Sequence, residues 1–359
     1  MKKVGKIPFK AIKRISPSQF CSMKNCAYKA LLAEAFDKHS LLPVSANAYF
    51  GTVLHKMLEL ISKRLVKTDD EFNLEFSRQL KTVEDDVQVK GYGSLTPFQK
   101  NVKDYGIKII LLKKHLSQVR NESRPDSKLI VQSEKWVESS DKVMAGKIDL
   151  VVEKDGEVEL VDFKTGSIVE NALDDSGEIF SEVKEEYRDQ LKLYAYLYFE
   201  NTGTFPTLLS VVDLAKQKYS IDFSEAECKA LFQEATQLLT ATNETVKTGL
   251  YSANPNEKNC KYCLYRPACL FFLKTLESIH PYNDVSGLVK SVVKYQNGNV
   301  NITIGIDDKT LTVRSFPPEA FDGLLLHKGK RINIFNLRKE ATDLVYSVTK
   351  TTALYEEES

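Results

Sequence analysis

Two carboxylates and a lysine stand at spacings that let them act together. They lie in Gly146-Lys147-Ile148-Asp149-Leu150-Val151-Val152, then Asp155-Gly156, then Glu159-Leu160-Val161-Asp162-Phe163-Lys164-Thr165-Gly166. Asp155-Gly156 between two apolar runs is the signal of a two-residue hairpin turn. That turn pairs Lys154 with Glu157, which sets Asp149 opposite Asp162 and Lys147 opposite Lys164. Side chains alternate faces along a strand, so Asp149, Asp162 and Lys164 share one face of a sheet. Facing carboxylates with no cation between them repel and resist burial. Sharing a hard divalent ion such as Mg2+ or Mn2+ resolves that conflict. A lysine two residues on adds a positive charge that can orient water or stabilise charge developing on a phosphate. The competing reading is an ordinary strand pair with solvated acids. Ile148, Leu150, Val152, Val161 and Phe163 weigh against it, because they are expected to bury the other face.

The second group is sulfur. Cys260-x2-Cys263-x5-Cys269 brings three thiols into one turn, with Lys258, Lys261 and Arg266 placed to stabilise thiolates. Three ligands are one short of what Zn2+ or a [4Fe–4S] cluster requires. The fourth must come from elsewhere, with Cys26 the better candidate and Cys21 the alternative. Being five residues apart, these two face different directions on a helix, so one of them is expected to ligate. An unligated cysteine loop is the competing reading, and Cys228 reads as a core residue of a helix. Six cysteines in 359 residues suggest metal or redox chemistry rather than a disulfide scaffold.

These groups need elements to position them. Ser16-Pro17-Ser18-Gln19 reads as a capped helix start, and the helix should carry Phe20, Cys26 and Leu31. A second helix is predicted from Asn47 to Leu65, with Phe50, Val53, Leu54, Met57, Leu58 and Ile61 at helical spacing. Residues 68–120 read as polar helix, broken near Gly91 to Pro97. Strands follow from Lys128 to Lys164, then a loop from Ser167 to Gly177 and a helix from Val183 to Glu200. Leu208 to Asp213 and Lys218 to Phe223 read as strands, and Glu225 to Thr248 as a helix. After Pro281 the pattern changes to short alternating runs at 286–294, 300–306, 310–315, 331–335 and 344–349. Turn signals such as Gln296-Asn297-Gly298 and Asp307-Asp308 separate them, which predicts a small β-barrel, OB-like being one option. The Glu356-Glu357-Glu358 tail is expected to fray.

The hydrophobic fraction of 42% supports a real core, and a net charge of +1 leaves nucleic-acid binding to local patches such as Lys328, Lys330 and Arg331. No apolar run is long enough to span a membrane, and Met1 to Arg14 lacks the apolar stretch of a signal peptide, which predicts a cytoplasmic protein with no membrane partner. There is no GxxxxGK[ST] motif, so no P-loop motor is expected in the chain.

In chain order, these motifs resemble the RecB-like nucleases of the PD-(D/E)XK superfamily. More narrowly they look like its iron–sulfur branch, which includes CRISPR-associated RecB-like exonucleases and the AddB nuclease domain. The similarity rests on the helix from Ser16 through Cys26, Gly51-x3-His55, Gly146-x2-Asp149, Asp162-Phe163-Lys164-Thr165, Gln190-x3-Tyr194 and the three clustered cysteines. It covers residues 10–275, and Ile148 departs from the proline of the superfamily's name. The resemblance implies an α/β fold: a restriction-endonuclease-like mixed β-sheet flanked by helices over residues 1–280, with a helical insertion and an iron–sulfur staple. The resemblance says nothing of the barrel at 281–359, which reads from the sequence alone as a nucleic-acid or protein docking module. The resemblance also implies His55, Asp149, Asp162 and the Phe163 carbonyl as ligands for Mg2+ or Mn2+, with Glu134 as an acid near the metal. Lys164 would be the catalytic lysine, with Gln190 and Tyr194 contacting DNA or positioning it, and Glu59 orienting His55. Cys26, Cys260, Cys263 and Cys269 would hold a [4Fe–4S] cluster, with Zn2+ the alternative ion and Cys21 the alternative fourth ligand. The implied activity is a metal-dependent DNA exonuclease acting on single strands or DNA ends in repair, recombination or defence. A non-catalytic DNA-binding scaffold, or a subunit active only with a helicase partner, is the alternative.

Overall fold

The structure, a computed structural model, describes residues 1–121, 130–173, 179–276 and 283–357. Two compact units divide the chain. The motif unit comprises Ile12–Lys24 and Ala46–Asn243, and the cysteine unit comprises Met1–Ala11, Asn25–Ser45 and Glu244–Ser359. No helix among the described residues is long and apolar enough to cross a membrane.

Helix α1 (Pro17–Asn25) begins with a reciprocal capping box. Gln19 N–H donates to Ser16 Oγ at 3.2 Å, and Ser16 N–H donates to Gln19 Oε1 at 2.8 Å. The helix does not continue through Cys26 as its spacing suggested. Cys26 is extended, with φ −163°, and becomes the N-cap of α2 (Ala27–Ala35). Helix α3 (Ala46–Ser62) buries the predicted stripe of Phe50, Val53, Leu54, Met57, Leu58 and Ile61. Helices α4 (Asp69–Val89), α5 (Phe98–Asn101) and α6 (Tyr105–Asn121) complete a helical layer. Its core is continuous with Val161, Phe163 and Val212 of the sheet below and with Leu214 in the turn after it.

That sheet contains β1 (Ile130–Glu138), β2 (Ala145–Lys154) and β3 (Glu157–Phe163). Asp155 and Gly156 take φ of 52° and 89°, the two left-handed residues of a type I′ turn. The Lys154–Glu157 pairing then holds through Leu150–Val161. The stretch read as a loop from Ser167 instead contributes β4 (Val169–Leu173), which pairs with β5 (Ile179–Val183) in a separate ribbon; residues 174–177 of that loop lie outside the described residues. Helix α7 (Glu185–Thr202) packs across β1, β2, β3 and β6 (Leu208–Val212), and β7 (Lys218–Ser220) and α8 (Glu225–Thr248) follow. The strand order is β1-β2-β3-β6-β7, with β3 and β6 parallel and the other neighbours antiparallel. This is the mixed, helix-flanked sheet expected.

In the cysteine unit, α9 (Glu257–Cys260) and α10 (Leu270–Thr275) bracket the cysteine turn. Seven strands follow: β8 (Val285–Lys294), β9 (Val300–Ile306), β10 (Lys309–Phe316), β11 (Arg331–Phe335), β12 (Arg338–Lys339), β13 (Val345–Ser347) and β14 (Ala353–Glu356). They lie in the order β12-β13-β10-β9-β8-β11-β14, a sheet curled into a half-barrel over a core that includes Val289, Ile302, Ile304, Val313 and Ile332. The acidic tail is not frayed where it is described. Glu356 pairs with Ile332 in β14, and its carboxylate meets His327 at 2.7 Å.

Candidate active site

Asp149 on β2 and Asp162 on β3 meet where the β2–β3 ladder stops, one pair short of the two aspartates. There Asp149 Oδ2 accepts the Phe163 amide at 2.8 Å, so a side chain stands in for a ladder carbonyl. Strand β3 remains anchored on its other side. Asp162 pairs with Val211, Phe163 with Val212, and Lys164 N–H donates to Val212 O at 2.9 Å. Val161 and Phe163 point into the helical core, so Asp162 between them points to the opposite face, where α7 meets it. The expected Lys147–Lys164 pairing does not form. Lys147 Nζ instead pairs with Glu134 at 3.1 Å.

Lys164, Asp162 and Gln190 form a closed triangle. Lys164 Nζ lies 2.7 Å from Asp162 Oδ2 and donates to Gln190 Oε1 at 3.1 Å. Gln190 Nε2 donates to Asp162 Oδ1 at 3.1 Å. The ammonium also sits 4.7 Å from the ring centroid of Tyr187, a residue that the reading of the sequence missed. Its signal was its position three residues before Gln190 on the same helical face. One turn beyond Gln190, Tyr194 packs against Gly146. A Cβ at Gly146 would lie 2.8 Å from Tyr194 Oη and 3.3 Å from Pro17 Cδ, which gives that motif glycine its physical reason. At Gly51 the corresponding Cβ would meet Thr165 Oγ1 at 3.5 Å, ordinary contact.

The electrostatics follow from burial and crowding. Burial, then the Asp162 carboxylate, push Asp149 up to about 7. Burial also raises Asp162, against the pull of Lys164. His55 Nδ1 lies 4.0 Å from Asp149 Oδ2, and burial lowers the pKa of its ring while the Asp162 charge opposes the shift. Burial raises the Tyr194 hydroxyl, with Asp162 and Asp149 adding to the effect. Glu59 does not orient His55. Lys56 and Lys63 each hold it at 2.6 Å, a local pairing that outcompetes the ring. Glu134 is held at φ 54°, unusual for a residue with a Cβ, and its charge reaches His55 and Asp149.

Among the described residues, no three His, Cys, Asp or Glu side chains form a group that could hold a metal ion as they stand. The chemistry of the aspartate pair nevertheless fits a divalent cation. Two carboxylates are raised together beside a single ammonium, and buried Asp162 Oδ2 makes its ion contact without a well-formed hydrogen bond.

In the cysteine unit, Cys26, Cys260, Cys263 and Cys269 line one small cavity with Tyr28 and Phe272. Burial pushes up the thiols of Cys260, Cys263 and Cys269, Cys269 to about 12, and neighbouring cysteines add to each shift. Cys21 belongs to the motif unit, where its thiol donates to the Glu186 carbonyl at 3.3 Å, and Cys228 is core in α8. Lys261 pairs loosely with Glu257 at 3.8 Å. Arg266 does more than lend charge to thiolates. It is buried, and Nη1 donates to the carbonyls of Cys260, Lys261 and Cys263 at 3.0, 3.1 and 2.8 Å. Its Nε pairs with Asp284 at 2.7 Å and its Nη2 donates to Asn336 at 2.7 Å. Asp284 and Asn336 carry no local sequence signal for this role. The four cysteines thus share one small cavity beside a buried guanidinium, but among the described residues they do not form a metal-holding group as they stand.

A family model of the PD-(D/E)XK nuclease superfamily matches residues 14–270, and the chain belongs to that superfamily. Among curated proteins, none matches the sequence. A crystal structure of a "putative exonuclease" from Eubacterium rectale is similar at 11% identity and a TM-score of 0.45, over 75% of this chain and 90% of that one.

Proposed function

We propose that the chain is a divalent-metal-dependent DNA nuclease of the RecB-like iron–sulfur branch, an exonuclease working on single strands or DNA ends in repair, recombination or defence. The observation that carries this reading is the Lys164–Asp162–Gln190 triangle standing against Asp149 at the end of β3. Asp149, Asp162, His55 and the Phe163 carbonyl would hold Mg2+ or Mn2+, with Glu134 as a nearby acid. A bound divalent ion supplies Lewis-acid polarisation of phosphate and a more acidic water. Lys164 carries the positive charge that meets the developing negative charge of the phosphate. Gln190 fixes the Lys164 rotamer from one side and Asp162 from the other, so the ammonium is aimed before DNA arrives. Tyr194 stays protonated and acts as a hydrogen-bonding wall rather than a base.

Cys26, Cys260, Cys263 and Cys269 would hold a [4Fe–4S] cluster, with Zn2+ the other ion that suits such a set. Its role would be structural, tying α2 to the cysteine turn within one unit.

End-labelled single- and double-stranded DNA, incubated with Mg2+ or Mn2+ and anaerobically purified protein, tests the reading. Cleavage that requires metal and vanishes in Lys164→Ala is the expected result. Cleavage that persists in Lys164→Ala overturns the site assignment. Absence of cleavage by folded protein would favour a DNA-binding scaffold or a subunit that needs a helicase.

A further inference from the structure

The cysteine unit contains a cavity of about 610 Å³ that the nuclease reading leaves unused. Its floor is the face of the half-barrel turned away from the apolar core. Ile332 and Ile334 point into that core, so Asn333 between them points into the cavity. Ser286 lies directly opposite Asn333 on β8 and lines the same floor. The two residues are only 3% and 4% exposed, Ser286 and Asn333 respectively. Among the described residues neither side chain has a hydrogen-bond partner. Buried polar side chains are nearly always paired, so two adjacent ones facing a cavity are set up for something that enters it.

The walls narrow the choice. Phe9 and Tyr251 have ring centroids 4.4 Å apart and both line the cavity, a ready aromatic surface. Lys6 and Lys274 line it too and, among the described residues, form no ion pair. The two acids there are already engaged. Glu356 is held by His327 and Lys3, and Glu357 by Arg331. An occupant must therefore offer a flat ring, an edge that both donates and accepts hydrogen bonds, and negative charge.

We infer that this cavity binds a nucleotide, its base against Phe9 and Tyr251, its edge read by Asn333 and Ser286, and its phosphate met by Lys6 and Lys274. An amide that donates and accepts suits a base edge, stacking suits any base, and lysines suit phosphate. The choice of a nucleotide over other flat anions rests on the nuclease reading. The source is either a nucleotide unit of single-stranded DNA or a released mononucleotide.

Binding is measured by calorimetry on the full-length Lys164→Ala protein, so that no probe is cleaved. The probes are dAMP, dTMP, inorganic phosphate and a short oligothymidylate. Saturable dAMP or dTMP binding, stronger than phosphate, is expected. It should weaken roughly tenfold or more in Asn333→Ala and in Tyr251→Ala. Lys274→Glu, an exposed change that leaves the floor intact, should weaken it as well and serves if Asn333→Ala fails to fold. Oligothymidylate binding that weakens in parallel identifies a DNA strand as the source, and unchanged oligothymidylate binding identifies the free nucleotide. No saturable nucleotide binding, or affinities unchanged in folded variants, overturns the proposal. Cleavage by wild type is scored separately. Cleavage without nucleotide binding sinks only this pocket, and nucleotide binding without cleavage sinks only the nuclease reading.

Discussion

Replacing Gly146 by alanine should damage both fold and site, and the structure sets the size of the effect. The new methyl would lie 2.8 Å from Tyr194 Oη, 3.0 Å from Tyr194 Cε1 and 3.3 Å from Pro17 Cδ, all short of the roughly 3.5–4.0 Å of relaxed contact. Tyr194 is only 6% exposed and cannot swing into solvent. Overpacking of this kind costs about 1–3 kcal/mol. In a unit this size that is a fall in melting temperature of about 2–12 °C. Tyr194 shares α7 with Gln190, so the push reaches the side chain that holds Lys164. Displacements of that order can lower kcat about a hundredfold. Thermal unfolding and a cleavage assay measure the two effects. Tyr194→Phe removes the closest of the three atoms, so the double variant should recover part of the loss as a coupling of about 0.5–3 kcal/mol. Gly51→Ala is the control. It sits in α3 with only an ordinary 3.5 Å neighbour, so it should be neutral or stabilising by up to about 1 kcal/mol. A Gly146→Ala protein that melts and cleaves like wild type would refute the steric argument.

Gln190→Ala should leave folding nearly intact and lower kcat by roughly 10–100-fold with little change in KM, as loss of an orienting partner does; an unchanged kcat would count against the triangle. Arg266→Met strands the Asp284 carboxylate in the core and should cost about 3–5 kcal/mol, while Arg266→Met with Asp284→Leu should recover much of it in urea unfolding. Asp149 titrates near 7 in the folded protein against its ordinary 3.8, so the folded state binds more protons across that window. Chelator-treated protein should therefore lose stability as pH rises from about 4 to about 7, and Asp149→Asn should flatten that trend; melting curves that rise with pH would contradict it. Cys26→Ser should lower iron or zinc content per chain and Cys21→Ser should not, as elemental analysis would show.

How far the sequence could be read depended on the range of each interaction. The Asp155-Gly156 turn, its register through Leu150–Val161, and the Ser16–Gln19 capping box are all decided within a few residues, and they stand as read. The α3 stripe was visible for the same reason. The break at Cys26 was not, because nothing in its neighbours forbids helix, yet it is extended as the N-cap of α2. The ladder's early stop was hidden because Asp149 chooses a backbone amide over a facing pair. Glu59 misled because its spacing from His55 matched while two flanking lysines were better partners. The Arg266–Asp284–Asn336 clamp joins residues far apart in sequence and leaves no periodic trace.

The division of the chain has a consequence for the order of its synthesis. Every residue of the motif unit has been translated once Asn243 is made, so that unit can close while the ribosome is still working. The cysteine unit must wait. Lys2 bridges to Tyr355, and Leu41 O accepts the Tyr355 hydroxyl at 2.6 Å, so residues made early complete part of their pairing only with a strand made much later. Those contacts stay open through most of elongation, which gives these segments something to gain from a chaperone. The same adjacency suits a circular permutant that links Lys2 to Glu356 by a short bridge. In such a protein the early and late segments would emerge together.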